Sequence, residues 1–304
     1  MTALKERLRL CSPLYWPIWL GLGVLWLITQ LPYRIQLSIG KSLGRCLYLF
    51  PSKLKDITEI NIRLCFSKLT SEQQHELVKK NFDSLGIGIV ETAMAWWLSD
   101  SRLQSLLHIS GIEYVEAALA KNKGVILLSP HSTCLEMIGR LASMQYQLTA
   151  MYRPHKKPII AFIHTRFRTR YNIHYIPRNK MRRLLDALQN NQPVWYAYDV
   201  DGGKQRSVFA PFFGIQTASL TAVSRITHKT GALVVPICIY RRDDNSGYEL
   251  RFSPALENFP SANWVQDATQ LNAALEKAIR EKPEQYIWQY KRFKTRPDGE
   301  ARVY

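Results

Sequence analysis

Cysteine is scarce and dispersed. The 304 residues hold five, Cys11, Cys46, Cys65, Cys134 and Cys238, an odd number with no CxxC pair. That argues against a disulfide framework or a zinc knuckle and points to a reducing compartment. Acidic residues are also few: 24 Asp and Glu against 41 Lys and Arg, a formal net charge of +17. Such an excess implies an anionic partner, whether nucleic acid, an anionic bilayer, a phosphorylated substrate or an acidic protein. No RNP, zinc-finger or helix-turn-helix signature is present, which argues against a nucleic-acid partner. Internal repeats and low-complexity tracts are missing too. A mean hydropathy of −0.19 argues against a multi-span membrane protein. Core material is ample at 46% hydrophobic residues, and eight Trp and fifteen Tyr suit a membrane interface.

One long stretch has no charge at all. "LCSPLYWPIWLGLGVLWLITQLPY", Leu10 to Tyr33, approaches the ~20 apolar residues needed to span a bilayer. No small-x-small cleavage site follows it. Residues 1–34 are therefore expected to anchor the chain, by spanning once or by lying in one leaflet, with a buried core helix as the alternative. Basic residues on both sides slightly favour a cytoplasmic main domain. Residues 35–110 read as helical: 34–50, 56–66 and 71–99, with Ser71 and Gln74 as a capping box. From 111 to 304 the pattern alternates. Strands are expected at 124–129, 148–152, 173–177, 193–199, 232–240 and 248–254, with helices between and after them. This is the pattern of an α/β layered domain with a mostly parallel sheet, which binds ligands at the C-terminal ends of its strands. His131 and Asp199 fall at such ends.

The stretch "SPHSTCLE" places Glu136 five residues after His131. On one continuous helix that spacing puts the two about 140° apart, and metal-binding pairs prefer i,i+4. The spacing fits a histidine in the loop and a glutamate in the first helical turn, with Ser132 or Thr133 as N-cap. Glu136 could then hold one imidazole nitrogen and leave the other as a general base. The spacing alone fits equally a histidine hydrogen-bonded at a helix start. His155, His164 and His174 lack ligand spacing, so no metal site is expected. Ser129 is not in G-x-S-x-G and Cys134 falls in the helix, so no covalent nucleophile is expected either. A substrate hydroxyl or water would be the attacking group.

Further motifs complete the pattern. "YRP" carries Arg153, and "HTRFRTR" carries Arg166, Arg168 and Arg170. "YDVDGGK" carries Asp199, Asp201 and Lys204 and leads into "FAPFFG". The chain ends in "PEQYIWQYKRFKTRP" and "DGEARVY". Together with "YWPIWLGLGVLWL", "NIRLCF" and HxxxxE, in this order, they resemble the late acyltransferases of lipid A biosynthesis, the lauroyl/myristoyl transferase family. The resemblance covers nearly the whole chain, and its C-terminal tail is most similar to the lauroyl branch. The family usually has a proline and a polar residue where this chain has Tyr198 and Val200.

The resemblance implies a glycerophosphate-acyltransferase-like fold on a membrane-anchoring helix, at the bacterial inner membrane with the catalytic domain facing the cytoplasm. It implies transfer of a fatty acyl chain, lauroyl by the tail, from acyl-carrier protein to the hydroxyl of a 3-hydroxyacyl chain on a Kdo-lipid IVA-type phosphorylated glycolipid. The carrier thioester is a co-substrate, and no separate cofactor is expected. His131 would act as base, with Glu136 orienting it. Arg153 could stabilise the oxyanion. Arg166, Arg168 and Arg170 could bind phosphates or form a solvated face. Asp199, Asp201 and Lys204 could bind substrate or organise their turn. The aromatic stretches "MAWWL" and "FAPFF" could line an acyl pocket, meet lipid or fill the core. Acidic carrier, phosphorylated acceptor and anionic membrane would each account for the positive charge. The alternatives are a relative acylating another phospholipid or glycolipid, and a non-catalytic membrane adaptor.

Overall fold

The structure is a computed structural model that describes residues 10, 12–152, 155, 157–169 and 171–304. The charge-free run breaks into two parts. Helix α1, Trp16–Thr29, has 14 residues, about 21 Å of length against the ~30 Å hydrocarbon thickness. Among the described residues no helix is long and apolar enough to cross a membrane. Of the two expected modes of anchoring, a spanning helix is not found among the described residues, where a short helix and a turn stand instead. The break has a local cause. The side chain of Gln36 is buried and donates to the carbonyls of Leu31 (2.6 Å) and Thr29 (3.2 Å). The Thr29 carbonyl belongs to the last turn of the helix, whose carbonyls have no partner within it, and the Leu31 carbonyl also accepts from Arg102 at 3.4 Å. Pro32 then starts α2, Tyr33–Leu49.

Helices α3 (Lys53–Cys65), α4 (Ser71–Trp97) and α5 (Asp100–Gln104) follow. The capping box of α4 lies one residue earlier than expected: Thr70 and Gln73 exchange side-chain and backbone bonds. Helices α2 and α4 meet through glycines. A Cβ on Gly86 would fall 2.2 Å from the carbonyl oxygen of Gly40 and 2.2 Å from the amide nitrogen of Gly44. Backbone meets backbone there, with no room for a side chain.

The rest is a layered α/β unit: β1 (Leu107–Ser110), α6 (Ile112–Leu119), β2 (Val125–Ser129), α7 (Leu135–Ala142), β3 (Leu148–Tyr152), α8 (Pro158–Arg168), β4 (Ile173–Pro177), α9 (Met181–Gln189), β5 (Pro193–Ala197), β6 (Ser207–Phe212), β7 (Ile215–Leu220), α10 (Ala222–Thr230), β8 (Leu233–Arg241), β9 (Tyr248–Phe252) and α11 (Trp264–Glu281). Seven strands form one sheet in the order β1-β9-β8-β2-β5-β3-β4. Every pairing is parallel except β8 with β9. Strand β2 is buried on both faces, which is why it reads as an unbroken apolar run. Val125 and Leu127 join the core beneath α4, α6, α7 and α8. Ile126 and Leu128 join the opposite core, with residues of α9, α10 and α11.

Strands β6 and β7 form a separate antiparallel hairpin, which the sequence reading missed along with β1. Its two-residue turn is Phe213-Gly214, both at positive φ (51° and 76°), a combination more usual for Asn-Gly. The "FAPFF" stretch fills core: Phe212 and Phe213 are buried, near Trp288 and Phe293.

Gly86→Ala should force α2 and α4 apart and lower stability by about 1–3 kcal/mol, the usual range for an overpacked contact. Thermal or urea denaturation of the purified variant measures it, and an unchanged midpoint would contradict the contact.

Candidate active site

The site begins with strand register. Ser129 and Ala197 are paired ends of the neighbouring parallel strands β2 and β5. His131 and Asp199 each lie two residues further on, so adjacent strands deliver them side by side. The peptide N–H of His131 donates to both Asp199 oxygens, at 3.1 and 3.0 Å, and its Nδ1 lies 2.6 Å from Oδ1. Asp199 is 2% exposed, while the His131 side chain keeps 31%. Burial pushes the Asp199 carboxyl upward, but the His131 charge and hydrogen bonds from His131 and Tyr286 outweigh it and hold the group below its ordinary value. An ionised carboxylate only accepts hydrogen bonds. Nδ1 therefore carries the shared proton, and Nε2 is left for chemistry. Burial pulls the His131 pKa down, yet the Asp199 charge and hydrogen bond raise it overall.

This corrects the expected partner, since Asp199 orients His131 in place of Glu136. The carboxylate of Glu136, in the first turn of α7, is held by Arg168 at the end of α8. Nε of Arg168 reaches both carboxylate oxygens (3.1 and 3.3 Å), and a terminal nitrogen bonds Oε1 as well. Trp96 Nε1 lies 3.4 Å from Oε2. The cause is the rise of the helix: Glu136 leaves the loop on α7 and meets α8, whereas His131 stays over the β2–β5 seam. The N-cap of α7 is Cys134, with no side-chain cap, rather than Ser132 or Thr133. Burial pushes the Cys134 thiol up to about 12, so it stays protonated near neutrality and is a poor nucleophile.

His131 and Glu136 nevertheless line one cavity of about 290 Å³, together with Arg168, Tyr175 and Trp195. Small residues, Gly139, Ala150 and Ala197, form part of its wall. A second cavity of about 400 Å³ shares Tyr152, His164, Arg168 and Tyr175 with the first. Burial lowers the pKa of His164, with the Arg168 charge adding to it. Arg168 lies 5.4 Å from the centre of the Tyr175 ring. Trp96 stacks on Phe167 at 4.8 Å, which brings the "MAWWL" stretch to the edge of the site.

The structure thus gathers His131, Glu136, Arg168 and Asp199. Arg166 is exposed on α8. Arg153 and Arg170 lie outside the described residues. Asp201 serves its turn and the chain end, accepting from Gly203 N (2.8 Å), Thr295 N (2.7 Å) and Thr295 Oγ1 (2.9 Å). Lys204 pairs with Asp298 at the surface. Among the described residues no group of three or more His, Cys, Asp or Glu is placed to hold a metal ion.

The C-terminal "PEQYIW" block has a role that residue-level reading did not reach. Ile287 N donates to His131 O at 3.2 Å, and Thr133 N donates to Gln285 O at 2.8 Å. The block runs antiparallel to the His131 turn and braces it. Its prominence among the motifs was the only available signal.

A family profile described as bacterial lipid A biosynthesis acyltransferase matches residues 4–295. The chain is 37% identical over 293 residues to a lipid A biosynthesis palmitoleoyltransferase of Escherichia coli, covering 96% of this chain and 95% of that protein. It is 36% identical over 296 residues to a lipid A biosynthesis lauroyltransferase of the same organism, covering 97% of each. A Haemophilus influenzae lipid A biosynthesis acyltransferase is 32% identical over 295 residues, 94% of this chain and 93% of that protein.

Asp199→Asn should lower turnover about 10³- to 10⁴-fold, the scale for losing the carboxylate that fixes a catalytic tautomer. The sign of the pH effect follows from the pair. Asp199 raises the His131 pKa, so its loss should move the acid limb of the kcat/KM profile to lower pH. A limb that stays in place or rises would contradict the pairing.

Proposed function

Because the chain belongs to the bacterial lipid A biosynthesis acyltransferase family, we propose that it moves a fatty acyl chain from acyl-carrier protein to a hydroxyl on a lipid A precursor. The observation carrying this reading is the His131–Asp199 pair, whose histidine lines the cavity. An unactivated hydroxyl must lose its proton as it attacks a thioester carbonyl. In the proposed step the hydroxyl oxygen forms the new ester bond and its proton passes to His131 Nε2. The C–S bond then breaks, and the imidazolium returns that proton to the departing thiolate. Asp199 stabilises the imidazolium between these events. Arg168, fixed by Glu136, offers its remaining N–H groups to an anionic part of either substrate.

The proposed acceptor is a Kdo-lipid IVA-type glycolipid, acylated on a 3-hydroxyacyl chain. Lauroyl is the proposed acyl group, on the likeness of the C-terminal tail. Near-equal identity to a palmitoleoyltransferase makes palmitoleoyl the competing donor. The proposed location is the cytoplasmic face of the bacterial inner membrane, with α1 and α2 lying in one leaflet. Their exposed apolar side chains favour that placement, among them Leu20 (72% exposed) and Leu49 (74% exposed).

The test combines purified protein, lauroyl- and palmitoleoyl-carrier thioesters, and lipid IVA acceptors with and without Kdo, read by mass spectrometry. One added acyl mass on lipid IVA is expected, with a ~10²- to 10⁴-fold lower rate for His131→Ala. Acylation of other phospholipids or glycolipids in place of lipid IVA would favour the alternative acceptor, and wild-type-like transfer by His131→Ala would remove the base.

A further inference from the structure

Behind the His131 turn runs a buried polar chain that the transfer chemistry does not use. Glu91 on α4 and Arg241 at the end of β8 form a two-pronged ion pair. Nε meets Oε1 and Nη2 meets Oε2, each at 2.8 Å. Tyr248 donates its hydroxyl to Oε1 at 2.8 Å. Arg241 Nη1 donates to Ser84 Oγ at 3.2 Å, and the hydroxyls of Ser84 and Thr133 share a bond of 2.8 Å. Gln285 closes the circuit. Its side chain accepts from Arg241 N (2.8 Å) and donates to Arg241 O (3.1 Å), while its carbonyl accepts from Thr133 N. All of these residues are buried.

Helix spacing explains how one element supplies so much of this. Ser84, Gly88 and Glu91 follow at intervals of four and three, so they share a face of α4. A Cβ on Gly88 would lie 2.2 Å from the Thr133 carbonyl oxygen. The helix backbone therefore presses directly on the turn. A wholly buried ion pair is a weak way to add stability, because desolvation offsets the attraction. What it supplies is direction: each arm of the guanidinium has one permitted partner, and the last arm ends on the hydroxyl bonded to Thr133, two residues from His131.

We propose that Ser84 and Arg241 are positioning residues for the acyl transfer, holding Thr133 and through it the place of His131 Nε2; this rests on the reading of His131 as the base. Ser84→Ala removes the link to Thr133 and leaves Glu91 paired with Arg241, and Thr133→Val removes the same link from the other side. Each should lower kcat roughly 10-fold, within the reach of small misplacements of a catalytic group, with KM for donor and acceptor changed less than about 2-fold. The double variant should be no slower than the slower single one, since both changes break the Ser84–Thr133 bond and Ser84→Ala also removes the acceptor of Arg241 Nη1. Melting temperatures and a His131→Ala control accompany the cycle. Wild-type kcat in Ser84→Ala overturns the proposal, as do losses that add in the double variant or that track a collapse of the melting transition. Activity retained by His131→Ala removes the base reading itself. A dead His131→Ala with additive losses at 84 and 133 overturns the positioning role alone.

Discussion

Asp199 carries its charge where water does not reach it, and the structure around the site follows from how that charge is met. The peptide N–H and imidazole of His131 answer it together, so one carboxylate fixes both the path of the backbone and the tautomer of the ring. Such an arrangement needs β2 and β5 to be parallel neighbours ending level, and it needs a turn after β2 that cannot wander. The sheet order meets the first need, and the C-terminal segment against residues 131–133 meets the second. The chain end, far away in sequence, is thus part of the site's support.

Two carboxylates near one histidine invite the assumption that the nearer in sequence is its partner. The structure divides the work differently. Asp199 pairs with His131, and Glu136 pairs with Arg168, so a cation lines the same cavity as the imidazole. Charge is balanced in two separate pairs, and the cavity between them keeps both polar and apolar wall. That suits the proposed transfer, in which a thioester, a hydroxyl and a hydrocarbon chain would meet there.

Much of this was legible in the sequence, for physical reasons that can be named. The run from Val125 to Ser129 is apolar because both of its faces are buried, and Pro130 ends it, so the strand, the loop histidine and the following helix could be read directly. The partner of His131 could not. It lies 68 residues away, and only strand order makes the two neighbours, which hydrophobic period does not encode. The β6–β7 hairpin escaped because Phe213-Gly214 lacks the Asn-Gly signal, and β1 because four residues give too little alternation. The charge-free run misled for a different reason. Composition suggests length in a bilayer, but a single buried glutamine, Gln36, gathers the carbonyls at the end of α1 and turns the chain.

The glycine contact between α2 and α4 bears on how the protein can be handled. The helix that carries exposed apolar side chains is joined, backbone to backbone, to the helix that touches the His131 turn. Cutting the chain ahead of Gln36 to gain solubility would remove the carbonyls this residue serves, and cutting beyond Leu49 would uncover the glycine face of α4. A water-soluble form is therefore better sought by replacing outward-facing residues such as Leu20, Leu49 and Phe50 with polar ones than by truncation.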